Sequence, residues 1–170
     1  TGYLEKHGVA DARLNMQLLI AHVLGCDKMQ LYIDFDRPID ESQLEKLRGM
    51  MRERSQRKPL QHLLGTVEFF GHEFSSDERA LIPRPETEFL VDLLAKQTWP
   101  AGVRIADLGC GSGVIGLSLA IALRTHEPSV VLGDVSVDAL TLAKENADQL
   151  AEHLDGTDVR FVESDLLTGI

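Results

Sequence analysis

The chemistry of this 170-residue chain is concentrated in Asp107, the glycine-rich run 109-GCGSGVIG-116, Asp134 and Asp165. Residues 111–116 match the pattern G-x-G-x-x-G. Glycines at that spacing permit a tight turn and let a ligand reach the backbone. A helix opening at such a loop offers free amide hydrogens and the positive end of its dipole. Asp134 follows at roughly the 20-residue spacing at which an acid meets a pair of ribose hydroxyls. Asp165 ends a third apolar run, where an adenine amino group could be read. The plainer alternatives are a glycine turn that only tightens strand–helix packing, and an Asp165 that only caps a turn.

Two ligands compete for such a loop. A dinucleotide would place its pyrophosphate at the helix start, whereas S-adenosylmethionine would place its methionine portion there. Asp107 separates them. A carboxylate beside the loop repels a pyrophosphate and attracts the ammonium group of an amino acid.

The elements that must hold these residues follow from periodicity. "VRIADLG" (103–109), "VVLGDV" (130–135) and "VRFVESD" (159–165) have the composition of short buried strands. Between them, "SGVIGLSLAIALRT" (112–125) and "SVDALTLAKENADQL" (136–150) are helical, with Ser136 as N-cap. Strand, helix, strand, helix, strand implies parallel crossovers and an α/β, doubly wound sheet. Asp107, the loop, Asp134 and Asp165 then all fall at carboxyl ends of strands, where open α/β sheets bind ligands.

Upstream, "DARLNMQLLIAHVLG" (11–25) has Asp11 as a possible N-cap, Gly25 as a stop, and Leu14, Leu18 and Ala21 on one face. "DESQLEKLRGMMRERSQ" (40–56) opens with Asp40 and Gln43 at capping-box spacing and carries a stripe of Leu44, Leu47 and Met51. These define a small helical bundle over 1–58, closed where Pro59 ends the pattern. "TVEFFGHEF" (66–74) suggests a hairpin around Gly71, within a joint over 59–81. "IPRPETEFLVDLLAK" (82–96) starts a helix, with Pro85 at its first position and Glu86 and Glu88 in the first turn. The α/β region runs over 82–170.

Composition narrows the function classes. The formal charge of −10 argues against broad nucleic-acid binding, which needs a basic surface, and against acidic membranes. The basic stretch 46–58 is most simply a solvated helix face. Cys26 and Cys110 lack CxxC spacing, and free thiols suit a cytosolic protein. No apolar run is long enough to span a membrane, and no signal peptide opens the chain, which starts at "TGYLEK" without Met. His7, His22, His62, His72, His126 and His153 have no metal-ligand spacing, so no metal site is expected. Asp34 with Asp36, and Glu86 with Glu88, suit turn and helix-start roles better than an acid/base pair. No G-x-S-x-G supports a serine hydrolase.

"DLGCGSGVIGLSLA" resembles motif I of the class I S-adenosylmethionine-dependent methyltransferases, and "GDVSVDALTLAKENA" resembles the segment that follows it. "PLQHLLGTVEFFGHEFSSDERALIPRPETEFLVDLL" (59–94) is more specific. It is similar to the region joining the two domains of the HemK/PrmC family, which methylates the glutamine of the Gly-Gly-Gln loop of peptide chain release factors. The resemblance implies that Gly109, Cys110, Gly111, Ser112 and Gly113 line the methionine portion of the cofactor. It further implies that Asp134 holds the ribose, that Asp165 and Leu166 border the adenine, and that Arg84, Thr87 and Glu88 form a motif beside the pocket. Bracing of the joint is favoured over cofactor contact for that motif. A helical release-factor-binding region over 1–58, a cytoplasmic location and a partial methyltransferase sheet also follow.

The family's Asn-Pro-Pro-Tyr motif, which accepts hydrogen bonds from the acceptor amide, does not occur in these 170 residues. The expectation is therefore a fragment with no catalytic residue of its own, supplying strands 3, 2 and 1 of a sheet ordered 3-2-1-4-5-7-6 and leaving strand 1 with an unpaired edge. A methyltransferase of another amide or of a nucleic-acid base, a non-catalytic cofactor-binding or interaction module, and an NAD-binding protein are the alternatives.

Overall fold

A computed structural model describes residues 1–34 and 36–168. The chain divides into two compact units, Thr1–Gly65 and Thr66–Ile170.

The first unit is helical: α1 (Gly2–Lys6), α2 (Ala12–Leu24), α3 (Gln30–Ile33), α4 (Glu41–Ser55) and α5 (Leu60–Leu64). The capping box forms as expected. The Gln43 amide donates to Asp40 Oδ1 at 2.8 Å, and the Asp40 amide donates to Gln43 Oε1 at 3.1 Å. Gly25 ends α2 in the left-handed region, φ 64°.

Four local expectations need correction. Asp11 sits at the N-cap position of α2 with φ 49°, and its side chain makes no cap bond. Its carbonyl instead accepts from the amide and the side chain of Asn15. The buried residues of α2 are Ala12, Asn15, Leu19 and Ala21, so Ala21 is buried as expected, while Leu18 is partly buried and Leu14 is exposed. A stripe of large apolar residues misses this face because Asn15 occupies it, satisfied by Arg54 Nε at 2.7 Å and by the Ala10 and Asp11 carbonyls. In α4 the buried pair is Leu47 and Met50, with Met51 at the margin of their cluster. Pro59 does not close the helical region. It leads into α5, whose Leu60, Leu63 and Leu64 pack on Leu19, Leu47 and Met50.

The basic stretch is partly solvated and partly turned inward. Exposed Arg48 pairs with Glu41 at 2.7 Å and Lys58 with Glu53 at 2.7 Å. Arg57 donates to the Gly8 carbonyl at 3.0 Å, and Arg54 holds Asn15. No helix among the described residues is long and apolar enough to cross a membrane.

The second unit opens with the expected hairpin, β1 (Thr66–Phe69) against β2 (His72–Ser75). Its two-residue turn, Phe70 and Gly71, has φ 50° and 76°, the pair of positive values that matches hairpin twist. Helix α6 (Pro85–Ala95) follows, with Pro85 where no amide hydrogen is required. Then come β3 (Arg104–Leu108), α7 (Val114–Ala122), a 3₁₀ turn (Arg124–His126), β4 (Ser129–Asp134), α8 (Val137–Gln149) and β5 (Asp158–Glu163). The sheet is parallel in the order β3-β4-β5. Among the described residues β3 has a strand partner on one side only. This is a partial doubly wound, Rossmann-like sheet.

The core of this unit lies between sheet and helices, around Val91, Leu117, Val130, Leu132 and Ala143. Burial of large aliphatics at ~1.5–3 kcal/mol each is what fixes the strand ends in register. Ser136 caps α8 as its sequence predicts, accepting from the Ala139 amide at 3.2 Å.

Candidate functional site

The carboxyl ends of β3, β4 and β5 lie side by side, because Leu108 pairs with Gly133 and Asp134 with Glu163. The glycine loop leaves β3 and is tied down through five of its amides. The Gly109 and Cys110 amides both donate to the Gly133 carbonyl, at 2.8 and 3.0 Å. The Gly111 amide donates to Asp134 Oδ2 at 2.9 Å. The Gly113 amide donates to the Cys110 carbonyl at 2.8 Å, and the Gly116 amide donates to Asp107 Oδ2 at 2.9 Å. The loop is thus a turn in which five amides bond inward, two of them to the carboxylates that back it.

Those carboxylates differ. Asp134 is half-buried and anchored twice, by Gly111 on one oxygen and by Ser136 on the other, each at 2.9 Å. Each oxygen keeps a second lone pair, so the group stays able to accept from a ligand hydroxyl. Asp107 accepts from Gly116 at the first turn of α7. Burial raises its pKa, the Gly116 bond opposes that, and the charge of Asp134 adds to it. Burial, then Asp107 and Asp134, push the Cys110 thiol up to about 12, so it is a neutral small residue and no nucleophile.

Glycine is required here for two separate reasons. Gly111 and Gly113 have φ 54° and 78°. A Cβ on Gly113 would also stand 3.2 Å from Ala143 and Leu132, and one on Gly116 would stand 2.5 Å from Leu132.

A cavity of about 150 Å³ opens against this loop. Gly109, Cys110, Gly111, Ser112, Val114 and Ile115 line it on one side, and Leu81, Ile82, Pro83, Arg84 and Thr87 on the other. Arg84 and Thr87 therefore face the loop across the cavity, where bracing was the favoured role. Of the described residues, Asp107, Gly113, Asp134, Asp165, Leu166 and Glu88 stand outside this lining. Asp165 and Leu166 occupy the turn after β5, both exposed, with Leu166 at φ 54°. Beside them the buried Ser164 hydroxyl has no partner among the described residues.

Sequence reasoning missed Ile82 and Pro83 as cavity walls, and it missed Asn146. Asn146 is fully buried on α8. Its Nδ2 donates to the Ser112 carbonyl at 2.9 Å and to the Ser75 carbonyl at 3.3 Å, while its Oδ1 accepts from the Ser75 amide at 2.7 Å. The available signal was a polar residue in the buried period of a helix, in step with Ala139 and Ala143. The neighbouring Glu145 grips Arg79 through two bonds of 2.9 and 2.6 Å, fixing the segment that leads to Arg84.

Comparison with known proteins agrees with both halves of the chain. Residues 1–65 match the family described as PrmC N-terminal domain, and residues 84–170 match the methyltransferase small domain. The chain is similar to a release factor glutamine methyltransferase of Chlorobaculum tepidum, 41% identical over 94% of the chain and 55% of that protein. Proteins of the same name from Geobacter sulfurreducens and Deinococcus radiodurans are 38% and 37% identical, over 87% and 100% of the chain and 51% and 59% of their own lengths. The chain spans about half the length of the curated relatives it matches.

Proposed function

From the premise that the chain belongs to the methyltransferase small domain family, with a PrmC N-terminal domain preceding it, we propose that it binds S-adenosylmethionine and serves methyl transfer to the glutamine amide of the Gly-Gly-Gln loop of a peptide chain release factor. The observation that carries this reading is the polarity of the loop. The amides of Gly109, Cys110, Gly111, Gly113 and Gly116 have internal acceptors, two of them the carboxylates of Asp134 and Asp107. A pyrophosphate needs free donors and no adjacent negative charge. The ammonium of an amino acid needs acceptors and negative charge nearby, and the carboxylates of Asp107 and Asp134 behind the loop support that choice.

When bound, S-adenosylmethionine supplies an electrophilic methyl group on a sulfonium. In this reading Gly109, Cys110, Gly111, Ser112 and Gly113 shape the wall for its methionine portion, and Asp107 contributes the negative field that favours its ammonium. Asp134, held by two amides, accepts from the ribose hydroxyls. Asp165 and Leu166 border the adenine, with the Ser164 hydroxyl beside them. Arg84 and Thr87 close the cavity opposite the loop. An amide nitrogen is a weak nucleophile because its lone pair is delocalised, so alignment with the methyl group is the main source of rate. None of the 170 residues is assigned to hold that amide.

The helical unit is the proposed grip on the release factor. Its groove of about 280 Å³, lined by Tyr3, Arg48, Met51 and Arg52, combines apolar and basic surface. The reaction belongs in the cytoplasm, where translation ends, and neither nucleic acid nor membrane takes part.

Calorimetry tests the core of the reading. The chain is expected to bind S-adenosylhomocysteine and not NAD, and the reverse order overturns it. Charge reversal at Arg48 and Arg52 is expected to weaken capture of a release factor without changing nucleoside binding. Unchanged capture removes the role given to the helical unit.

A further inference from the structure

We infer that Asn146 is a positioning residue that fixes the glycine loop for the amino-acid end of its ligand, an inference that rests on the S-adenosylmethionine reading. Gly111 and Gly113 adopt left-handed backbone at φ 54° and 78°. Glycine permits that conformation but does not enforce it, since it reaches many others at equal ease. The peptide joining Ser112 to Gly113 therefore needs holding from outside the loop, and it is held at both ends. Its N–H donates to the Cys110 carbonyl at 2.8 Å, and its carbonyl accepts from Asn146 Nδ2 at 2.9 Å.

The same carboxamide reaches a second segment, the end of β2. Its oxygen and its other hydrogen meet the amide and carbonyl of Ser75, at 2.7 and 3.3 Å. Ser75 ends β2 and begins the run toward Arg84, which lines the cavity opposite the loop. One fully buried side chain thus ties the loop and the end of β2 to α8 without lining the cavity itself. Only a carboxamide can do this, because the geometry calls for one acceptor and two donors on a single short side chain. Aspartate keeps the acceptor for the Ser75 amide but loses both donors and turns an oxygen toward the Ser112 and Ser75 carbonyls.

The test compares N146D and N146A in this chain. The ligands are S-adenosylhomocysteine and 5′-methylthioadenosine, which is the same nucleoside without the amino-acid tail. Amide hydrogen exchange at Gly113 and Ser75 is read alongside. For N146D, affinity for S-adenosylhomocysteine is expected to fall about tenfold or more, and affinity for 5′-methylthioadenosine to change by less than about threefold. Exchange at Gly113 is expected to quicken while Ser75 keeps its protection, whereas N146A exposes both. Should N146D not fold, N146A gives the same ligand comparison. Equal loss of both ligands would reduce Asn146 to a general packing role, and unchanged exchange at Gly113 would overturn the inference outright. If the unsubstituted chain binds neither nucleoside, the cofactor reading fails by itself, and exchange at Gly113 alone then judges whether Asn146 holds the loop.

Discussion

The loop after β3 and the turn after β5 lie at the same edge of one sheet, yet they are built differently. The loop is tied to distant segments through Gly133, Asp134 and Asn146, and its glycines pack against α8 and β4. The turn has one such tie, the Ser164 amide to the Asp134 carbonyl at 3.0 Å, and beyond it only the local bond of the Thr168 amide to the Asp165 carbonyl at 3.1 Å, and it carries an exposed Leu166 in left-handed backbone. The loop assigned to the amino acid is thus framed by the core, and the turn assigned to the adenine is held at its start and is local beyond it. Breaking the first should disturb folding, and breaking the second should not. G113A is the strongest test. Left-handed backbone costs a side chain about 1–2 kcal/mol, and crowding against Ala143, Leu132 and Leu117 adds about 1–3 kcal/mol. A total loss of about 2–5 kcal/mol is expected in urea denaturation, and a loss under about 1 kcal/mol would mean the loop is not framed by the core.

Asp107 sharpens the contrast by separating stability from binding. Its pKa is raised in the folded chain, chiefly by burial. Between the unfolded and folded values the native state holds the extra proton, so stability falls as pH rises from the ordinary range of aspartate through the raised folded value. D107N removes this fall, and its side-chain oxygen still accepts from Gly116. At neutral pH the variant is expected to be as stable as the parent or up to about 1 kcal/mol more stable. Its affinity for S-adenosylhomocysteine is expected to drop about tenfold, through loss of the charge facing the ammonium. Urea midpoints across the acid range, with calorimetry on the same samples, check both. A D107N chain that is less stable and binds normally would assign Asp107 to the fold alone.

The elements that sequence located correctly are those whose signals are local. Asp40 with Gln43, Ser136, Pro85 and the turn at Gly71 each act within a few residues of where they are read. The parallel order of β3, β4 and β5 followed from the alternation of strand and helix, which leaves few topologies open. The errors share a cause as well. Asn15 and Asn146 are polar residues on buried helix faces, and what makes them tolerable is a partner far along the chain, Arg54 in one case and Ser75 with Ser112 in the other. Periodicity counts apolar residues and cannot supply those partners. The glycine motif pointed to the loop, but nothing in its spacing showed that Leu81 to Arg84 form the facing wall.

S136A probes the support between the two regions. It removes the bond to the Ala139 amide but leaves the Ser136 backbone amide on Asp134. The expected cost is about 1 kcal/mol, the ordinary value of an N-cap, read from thermal or urea unfolding. Nucleoside affinity is expected to stay constant, since Asp134 keeps both its anchors. A loss of affinity would mean that the start of α8, beyond those two amides, sets the carboxylate.

The smallest effect expected has the opposite sign from that of G113A, although both positions share left-handed backbone. Leu166 is 67% exposed, so trimming it removes little packing. Relief of the backbone in L166G is worth about 1–2 kcal/mol, offset by about 0.5–1 kcal/mol of added freedom in the unfolded chain. The net expectation is a gain near 0.5 kcal/mol in urea denaturation. Natural chains keep such strain where the conformation itself is useful. If Leu166 holds this conformation to border the adenine, L166G will bind 5′-methylthioadenosine more weakly despite its greater stability. A variant both more stable and unchanged in binding would leave the turn after β5 with no part in the site, and the nucleoside end would then have to be sought around Asp134 alone.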